Sequence, residues 1–136
     1  MHYLLLSLIT MVLFGIHYFF VKIISPNINS ASIAIAGGLV YFLAMFVYLY
    51  FTKTPLMPEQ QIYWWYAVII GIPMAIGVLT IYLAVARGPL SVVMPIYGLN
   101  AMVTAVLGII FLHEPLSVPK VFGLVFAVAA IVLLSR

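Results

Sequence analysis

The chain has 136 residues, 68% hydrophobic and 5% charged, with a net charge of +3 from five basic and two acidic residues. A soluble domain carries about 25% charged residues, so this composition excludes a water-solvated globule and points to a chain whose main solvent is lipid. The basic residues lie singly between apolar runs, which excludes a nucleic-acid binder. The lack of cysteine excludes disulfides and thiolate metal sites.

Five apolar runs are long enough to cross a bilayer, whose core needs about 20 helical residues. They are expected at about Tyr3–Ile24, Ser32–Phe51, Tyr63–Ala86, Leu90–Phe111 and Ser117–Leu134. The first run has no basic segment ahead of it and no clear small-residue cleavage site, so it reads as a retained span rather than a signal sequence. Ser-Pro-Asn-Ile-Asn at 25–29 ends it with turn residues, and Lys53-Thr-Pro-Leu-Met-Pro-Glu59 separates the second and third spans. From Tyr63 to Leu112, 50 residues, the only charge is Arg87. One helix of that length would run about 75 Å at 1.5 Å per residue, more than twice the roughly 30 Å hydrocarbon thickness. The chain must therefore turn at Arg87-Gly88-Pro89, with Gly88 expected in a left-handed conformation and Pro89 opening the next helix. Pro73 and Pro95 fall inside spans, where each removes a backbone donor and tends to bend its helix. His113-Glu-Pro-Leu-Ser-Val-Pro119 leads into the fifth span.

Tyr82-Leu-Ala-Val-Ala-Arg-Gly-Pro-Leu-Ser-Val-Val-Met-Pro-Ile, then Phe111-Leu-His-Glu-Pro-Leu-Ser, then Lys120-Val-Phe-Gly123 resemble an EamA-type repeat of the drug/metabolite transporter superfamily. Gly15-Ile-His-Tyr-Phe-Phe-Val-Lys22 resembles that family's first-helix pattern, a Gly followed by a Lys. The match is most specific over residues 82–124. It departs at Ile33-Ala-Ile-Ala-Gly-Gly38, where the family often has an Arg, and at Pro115, where the family usually has Leu. The resemblance implies an all-α membrane protein with five transmembrane helices, half of a ten-helix inverted-repeat transporter, forming one EamA-like domain over residues 1–136.

Within this frame a few residues stand out. His17 is the only ionisable residue well inside a span, about 7–8 Å deeper than Lys22 along the helix. Ser7, Thr10, Phe14 and His17 recur at helical spacing and form a polar seam. Intramembrane ionisable groups face cavities or partner helices, so His17 is a candidate for substrate binding and for carrying a coupling proton; the alternative is a neutral His bonded to a neighbour's carbonyl. Tyr97, Asn100, Thr104 and Gly108 share one face of the fourth span, where Asn100 either binds substrate or joins helices. Tyr82, Tyr97, Asn100 and Thr104 join His17 as candidate substrate-binding residues. Gly77, Gly108, Gly123 and Ala127 are candidate packing positions. Lys22, which matches the family's lysine, and Arg87 read as interfacial anchors. Glu114, which matches the family's glutamate, reads as a structural cap of the fifth span. Tyr63, Trp64, Trp65 and Tyr66 read as an interfacial belt.

No Asp or Glu falls inside any span. The small multidrug exporters couple protons through a carboxylate in the first helix, so proton coupling here falls to His17, and movement without a coupling ion is equally allowed. No nucleophile–base pair, metal cluster or phosphate loop is visible, so no enzyme, metal or cofactor is expected. The expected function is alternating-access transport of small organic solutes across a prokaryotic cell (inner) membrane. Its partners are then the solute, membrane lipid and a second copy of the chain, with no nucleic acid. Rival readings are a lipid-carrier flippase and a non-transporting subunit of a larger complex. The second copy follows from the odd span count, because one five-span repeat needs an inverted partner to build a midplane site. Lys53 and Lys120 fall on one membrane face, and Lys22, Arg87 and Arg136 on the other. So small a bias instructs orientation weakly and permits a dual-topology, antiparallel homodimer.

Overall fold

A computed structural model describes residues 2–57, 59–115 and 117–134; Arg136, which enters the charge balance above, lies outside them. Among the described residues six helices follow one another: α1 (His2–Ile24), α2 (Ser30–Thr52), α3 (Gln61–Arg87), α4 (Leu90–Gly98), α5 (Asn100–Phe111) and α6 (Val118–Leu134). No strand occurs among the described residues. Four apolar segments have the length and composition to cross a membrane, and α6 adds a shorter apolar helix over Val118–Ala130.

The turns follow from local chemistry. Asn29 caps α2, its side chain accepting the Ser32 N–H at 2.8 Å. Pro73 is carried inside α3, a continuous helix of 27 residues. The fourth expected span is a single apolar segment, Leu90–Phe111, but it forms two helices. At their joint the Leu99 N–H reaches the Ile96 carbonyl, three residues back, at 3.1 Å. Gly98, beside the joint, is the poorest helix former after proline, while the donor missing at Pro95 deprives the Ser91 carbonyl, one turn upstream. Leu99 itself stays right-handed at φ −64°, ψ −13°, so the joint is a tightened turn and not a loop.

The left-handed turn expected at Gly88 does not form, since no described glycine has a positive φ. Gly88 precedes Pro89, and a proline ring disfavours helical backbone at the residue before it. Pro89 is the N-cap of α4 at φ −66°, ψ 131°. The left-handed residues are instead Lys53, which ends α2, and His113, which follows α5, each at φ 53°.

The chain divides into two compact units, one through Ala86 and one from Arg87 on. In the first, the buried side chains are Tyr18 and Val21 of α1, Ser30 and Ile33 of α2, and Ile81, Tyr82 and Val85 of α3. These positions lie near the C-terminal ends of α1 and α3 and the N-terminal end of α2, so the three helices pack at one end. Val85, at 0% exposure, is its centre. Along the rest of α1–α3 the large apolar side chains are exposed: Leu39, Tyr50, Ile70 and many others. In the second unit α4 packs on α5 and α6, and Gly108 is buried.

Val85→Ala is therefore expected to lower the free energy of unfolding in micelles by about 1–3 kcal/mol. Ile70→Ala, at a 68% exposed site, should change it by less than about 0.5 kcal/mol. Equal losses in a chemical-denaturation series would contradict the packing described.

Candidate functional site

Inside an apolar span each polar side chain needs a partner, and most hydroxyls here find one on their own helix. Ser7 donates to the Tyr3 carbonyl and Thr10 to that of Leu6, both at 2.9 Å. Thr80 donates to the Ile76 carbonyl at 2.9 Å, and Thr104 to that of Asn100 at 3.0 Å. Backbonding of this kind is local and satisfies the hydroxyl without another helix. The polar seam expected on α1 thus reduces to His17.

His17 and Tyr82 have no such local solution and meet across 65 positions of sequence: His17 Nε2 and the Tyr82 hydroxyl are 2.8 Å apart. Packed rings hold the pair. The His17 ring centroid is 5.1 Å from that of Tyr18 and 5.8 Å from that of Tyr82. Tyr18 meets Tyr82 edge-on at 6.2 Å, and Phe14 meets His17 edge-on at 6.4 Å. Gly37 of α2 closes the third side; a Cβ there would lie 3.8 Å from the Tyr82 hydroxyl. Between α1 and α2 runs a cleft of about 400 Å³ whose walls include His17, Val21, Ser32, Ile33, Gly37 and Val40. The contribution of α2 to this site was not foreseen. Gly37 and Ser32 carry no pattern that sets them apart from other small residues in an apolar helix.

Lys22, expected as an anchor, has a defined partner. Its ammonium donates to the Val85 carbonyl at 2.9 Å and the Ala86 carbonyl at 3.3 Å. These carbonyls lie in the last turn of α3, where a helix leaves acceptors without intrahelical donors and its dipole favours a cation. Lys22 therefore caps a helix other than its own.

A transporter-family profile, that of the EamA-like transporter family, matches residues 1–136. The chain belongs to this family. It is also similar to an uncharacterized protein of Methanocaldococcus jannaschii, 31% identical over 134 residues that cover 96% of this chain and 94% of that one. No solved structure matches it. This EamA-like chain is an all-helical, multi-pass integral membrane protein of a transporter family.

The remaining candidates of the EamA-like chain are placed as follows. Tyr97 lies on α4 and Asn100 opens α5, on either side of the Leu99 joint, and Tyr97, Asn100 and Thr104 are all exposed. The Asn100 side chain has no hydrogen-bond partner among the described residues. Arg87 closes α3 and is exposed. Glu114, read from the sequence as a cap of the fifth span, sits against α5: its carboxyl carbon lies 3.4 Å from where a Cβ on Gly108 would be. The chain wraps round this point, with the Leu112 and Glu114 N–H groups both donating to the Gly108 carbonyl, at 3.0 and 3.3 Å. Of the four packing candidates, Gly108 is thus in contact with Glu114. Gly77 and Gly123 have no atom within 4 Å of a built Cβ, and Ala127 is exposed. No group of three or more potential metal ligands occurs among the described residues.

Removing the Lys22 ammonium should cost more than removing the Tyr82 hydroxyl, because hydrogen bonds from charged donors contribute about 1.5–3 kcal/mol and neutral ones about 0.5–1.5. Lys22→Met is expected to lower the melting temperature more than Tyr82→Phe. The reverse order, read by thermal unfolding in detergent, would show that Lys22 does not hold α1 to α3.

Proposed function

We propose that the protein carries small organic solutes across a prokaryotic cell membrane by alternating access, with the His17–Tyr82 pair as its polar centre and His17 as the proton carrier. The observation behind this reading is the 2.8 Å contact of those two side chains. A neutral imidazole has one donor and one acceptor nitrogen, and its conjugate acid has two donors. A tyrosine hydroxyl can donate or accept, so it remains a partner when the imidazole gains or loses a proton. His17→Gln keeps a group able to bond Tyr82 and removes the titratable one. In proteoliposomes loaded with a pH-sensitive dye, the variant should unfold at about the wild-type temperature yet lose solute-driven proton movement. Proton movement unchanged in His17→Gln would remove His17 from the mechanism.

The functional form in this reading is an antiparallel homodimer of dual topology. Support comes from the exposed apolar faces of α1–α3 and from the exposed small residues Gly77, Gly123 and Ala127, which let helices approach closely. The archaeal relative, 94% covered by its alignment, is a chain of about the same length. Asn100, exposed and without a described partner, fits a role between copies. The native sequence has no cysteine. A single cysteine at Asn27, and separately at Gln60, both exposed, should label from both sides of the membrane. Labelling of each from one side only would overturn the antiparallel dimer.

A second reading, a lipid-carrier flippase, draws on one observation. A cleft of about 580 Å³ between α5 and α6 is lined only by apolar residues, among them Met102, Val106, Val125 and Val128. Co-purification of a lipid-linked sugar that phospholipid does not displace would favour it over solute transport.

A further inference from the structure

The cleft between α1 and α2 is set apart from the α5–α6 cleft by its chemistry. Apolar side chains, Val21, Ile24, Ile28, Ile33 and Val40 among them, supply most of its wall, and among the described residues His17 is the one ionisable side chain on it. Lys22, the nearest charged residue in the sequence, is held on the α3 carbonyls. While His17 is neutral, an ion entering this cleft would lose water without meeting a counter-charge on its wall, at a cost of several kcal/mol. A zwitterion would incur that cost twice.

One polar function is nevertheless on offer. His17 Nε2 is engaged by the Tyr82 hydroxyl, while Nδ1 has no partner among the described residues. No buried side-chain nitrogen or oxygen among them lacks a partner, so Nδ1, on a half-buried residue lining the cleft, is not fully buried. In the neutral imidazole the two nitrogens have opposite roles. When Tyr82 donates to Nε2, Nδ1–H is a donor; when Nε2–H donates to Tyr82, Nδ1 is an acceptor. The hydroxyl thus sets which kind of group His17 presents, without moving either ring. Ser32 adds a hydroxyl on the opposite wall.

We infer that the α1–α2 cleft is a binding site for small, neutral, predominantly apolar molecules carrying one hydrogen-bonding group, such as phenols and indoles, with His17 reading that group and Tyr82 positioning its tautomer. A volume of about 400 Å³ lies within the range of small-molecule pockets, roughly 300–1,000 Å³. The inference deepens the solute-transport reading and rests on it for its purpose.

Binding is measured at equilibrium on the full chain in phosphatidylcholine nanodiscs, with empty nanodiscs subtracted. The probes are phenol and indole for the proposed class, toluene as the analogue with a methyl in place of the phenol hydroxyl, and glucose, glycine and choline as polar or charged rivals. Saturable binding of phenol and indole is expected, with toluene at least ten-fold weaker and the polar and charged probes unbound. Gly37→Leu fills the cleft beside Tyr82 and should weaken phenol at least ten-fold. Val40→Trp, at a 68% exposed position on the same wall, should do the same and covers the case in which Gly37→Leu does not fold. Three results would each overturn the site: no saturable phenol binding, toluene binding equal to phenol, or phenol binding unchanged in the folded cleft-filling variants. Neither flux nor dimerisation enters the readout. Intact phenol binding without transport would therefore count against the proposed function alone, and solute-driven flux without phenol binding against the cleft alone.

Discussion

A polar group in hydrocarbon must be satisfied within the protein, because water is not there to do it. The arrangement of this chain follows from that constraint more than from any single packing contact. Ser7, Thr10, Thr80 and Thr104 meet it on their own helices. His17 and Tyr82 cannot, and their mutual bond fixes where α1 lies against α3. The terminal carbonyls of α3 cannot either, and Lys22 supplies what the helix lacks. The buried side chains gather at this same end, with Tyr18, Val21, Ile81 and Val85 around the polar contacts. In water such a cluster would be a small apolar core with polar groups at its rim. In lipid, where burying an apolar side chain gains little over leaving it against acyl chains, van der Waals packing and polar pairing specify the contact.

Away from that end the helices of the first unit are lined with exposed large side chains. Lipid can solvate them, and so can another protein chain of the same chemistry. The distinction lies in the small and polar residues. An exposed Leu or Phe is at ease in acyl chains, whereas the exposed Asn100 amide is not. Gly77 and Gly123 leave shallow places where another helix could seat itself.

Four of the five expected spans were legible from length, apolarity and the bilayer thickness, while the fifth apolar run forms a shorter helix: a 50-residue stretch must turn, and Arg87-Gly88-Pro89 is where it does. How each turn is made was less legible. Gly88 looked like a left-handed cap, but Pro89 beside it disfavours helical backbone there, and the left-handed positions fell to Lys53 and His113, which carry no glycine signature. The division of the fourth span at Leu99 was hidden because the residue keeps right-handed backbone and only its hydrogen bond shifts. His17 was legible as an isolated ionisable group; its pairing with Tyr82 was not, since no local spacing connects positions 17 and 82. Lys22 looked like an anchor because sequence shows the charge and not the acceptors brought to it. Gly37 was silent because no spacing on α2 connects it to a tyrosine of another helix.

The two contacts between α1 and α3 differ in strength, and that difference bears on how such a chain can move. The His17–Tyr82 bond joins neutral groups when the imidazole is unprotonated, and such a bond contributes about 0.5–1.5 kcal/mol net. The Lys22 contacts have a charged donor, for which each bond contributes about 1.5–3 kcal/mol, and parting them would leave two helix-terminal carbonyls without that donor. Separation of α1 from α3 near Lys22 is therefore the costly motion, and adjustment around His17 the cheap one. Elsewhere in the chain the helical hydrogen bonding is already weakened at a few points: Pro73 leaves the continuous α3 one donor short, and Leu99 carries the tightened turn between α4 and α5. A conformational change that keeps the Lys22 cap while flexing at such points retains the strong polar contacts and deforms helices only where their hydrogen bonding is already incomplete or tightened. In a span with no water to replace a lost donor, that is the path of least cost.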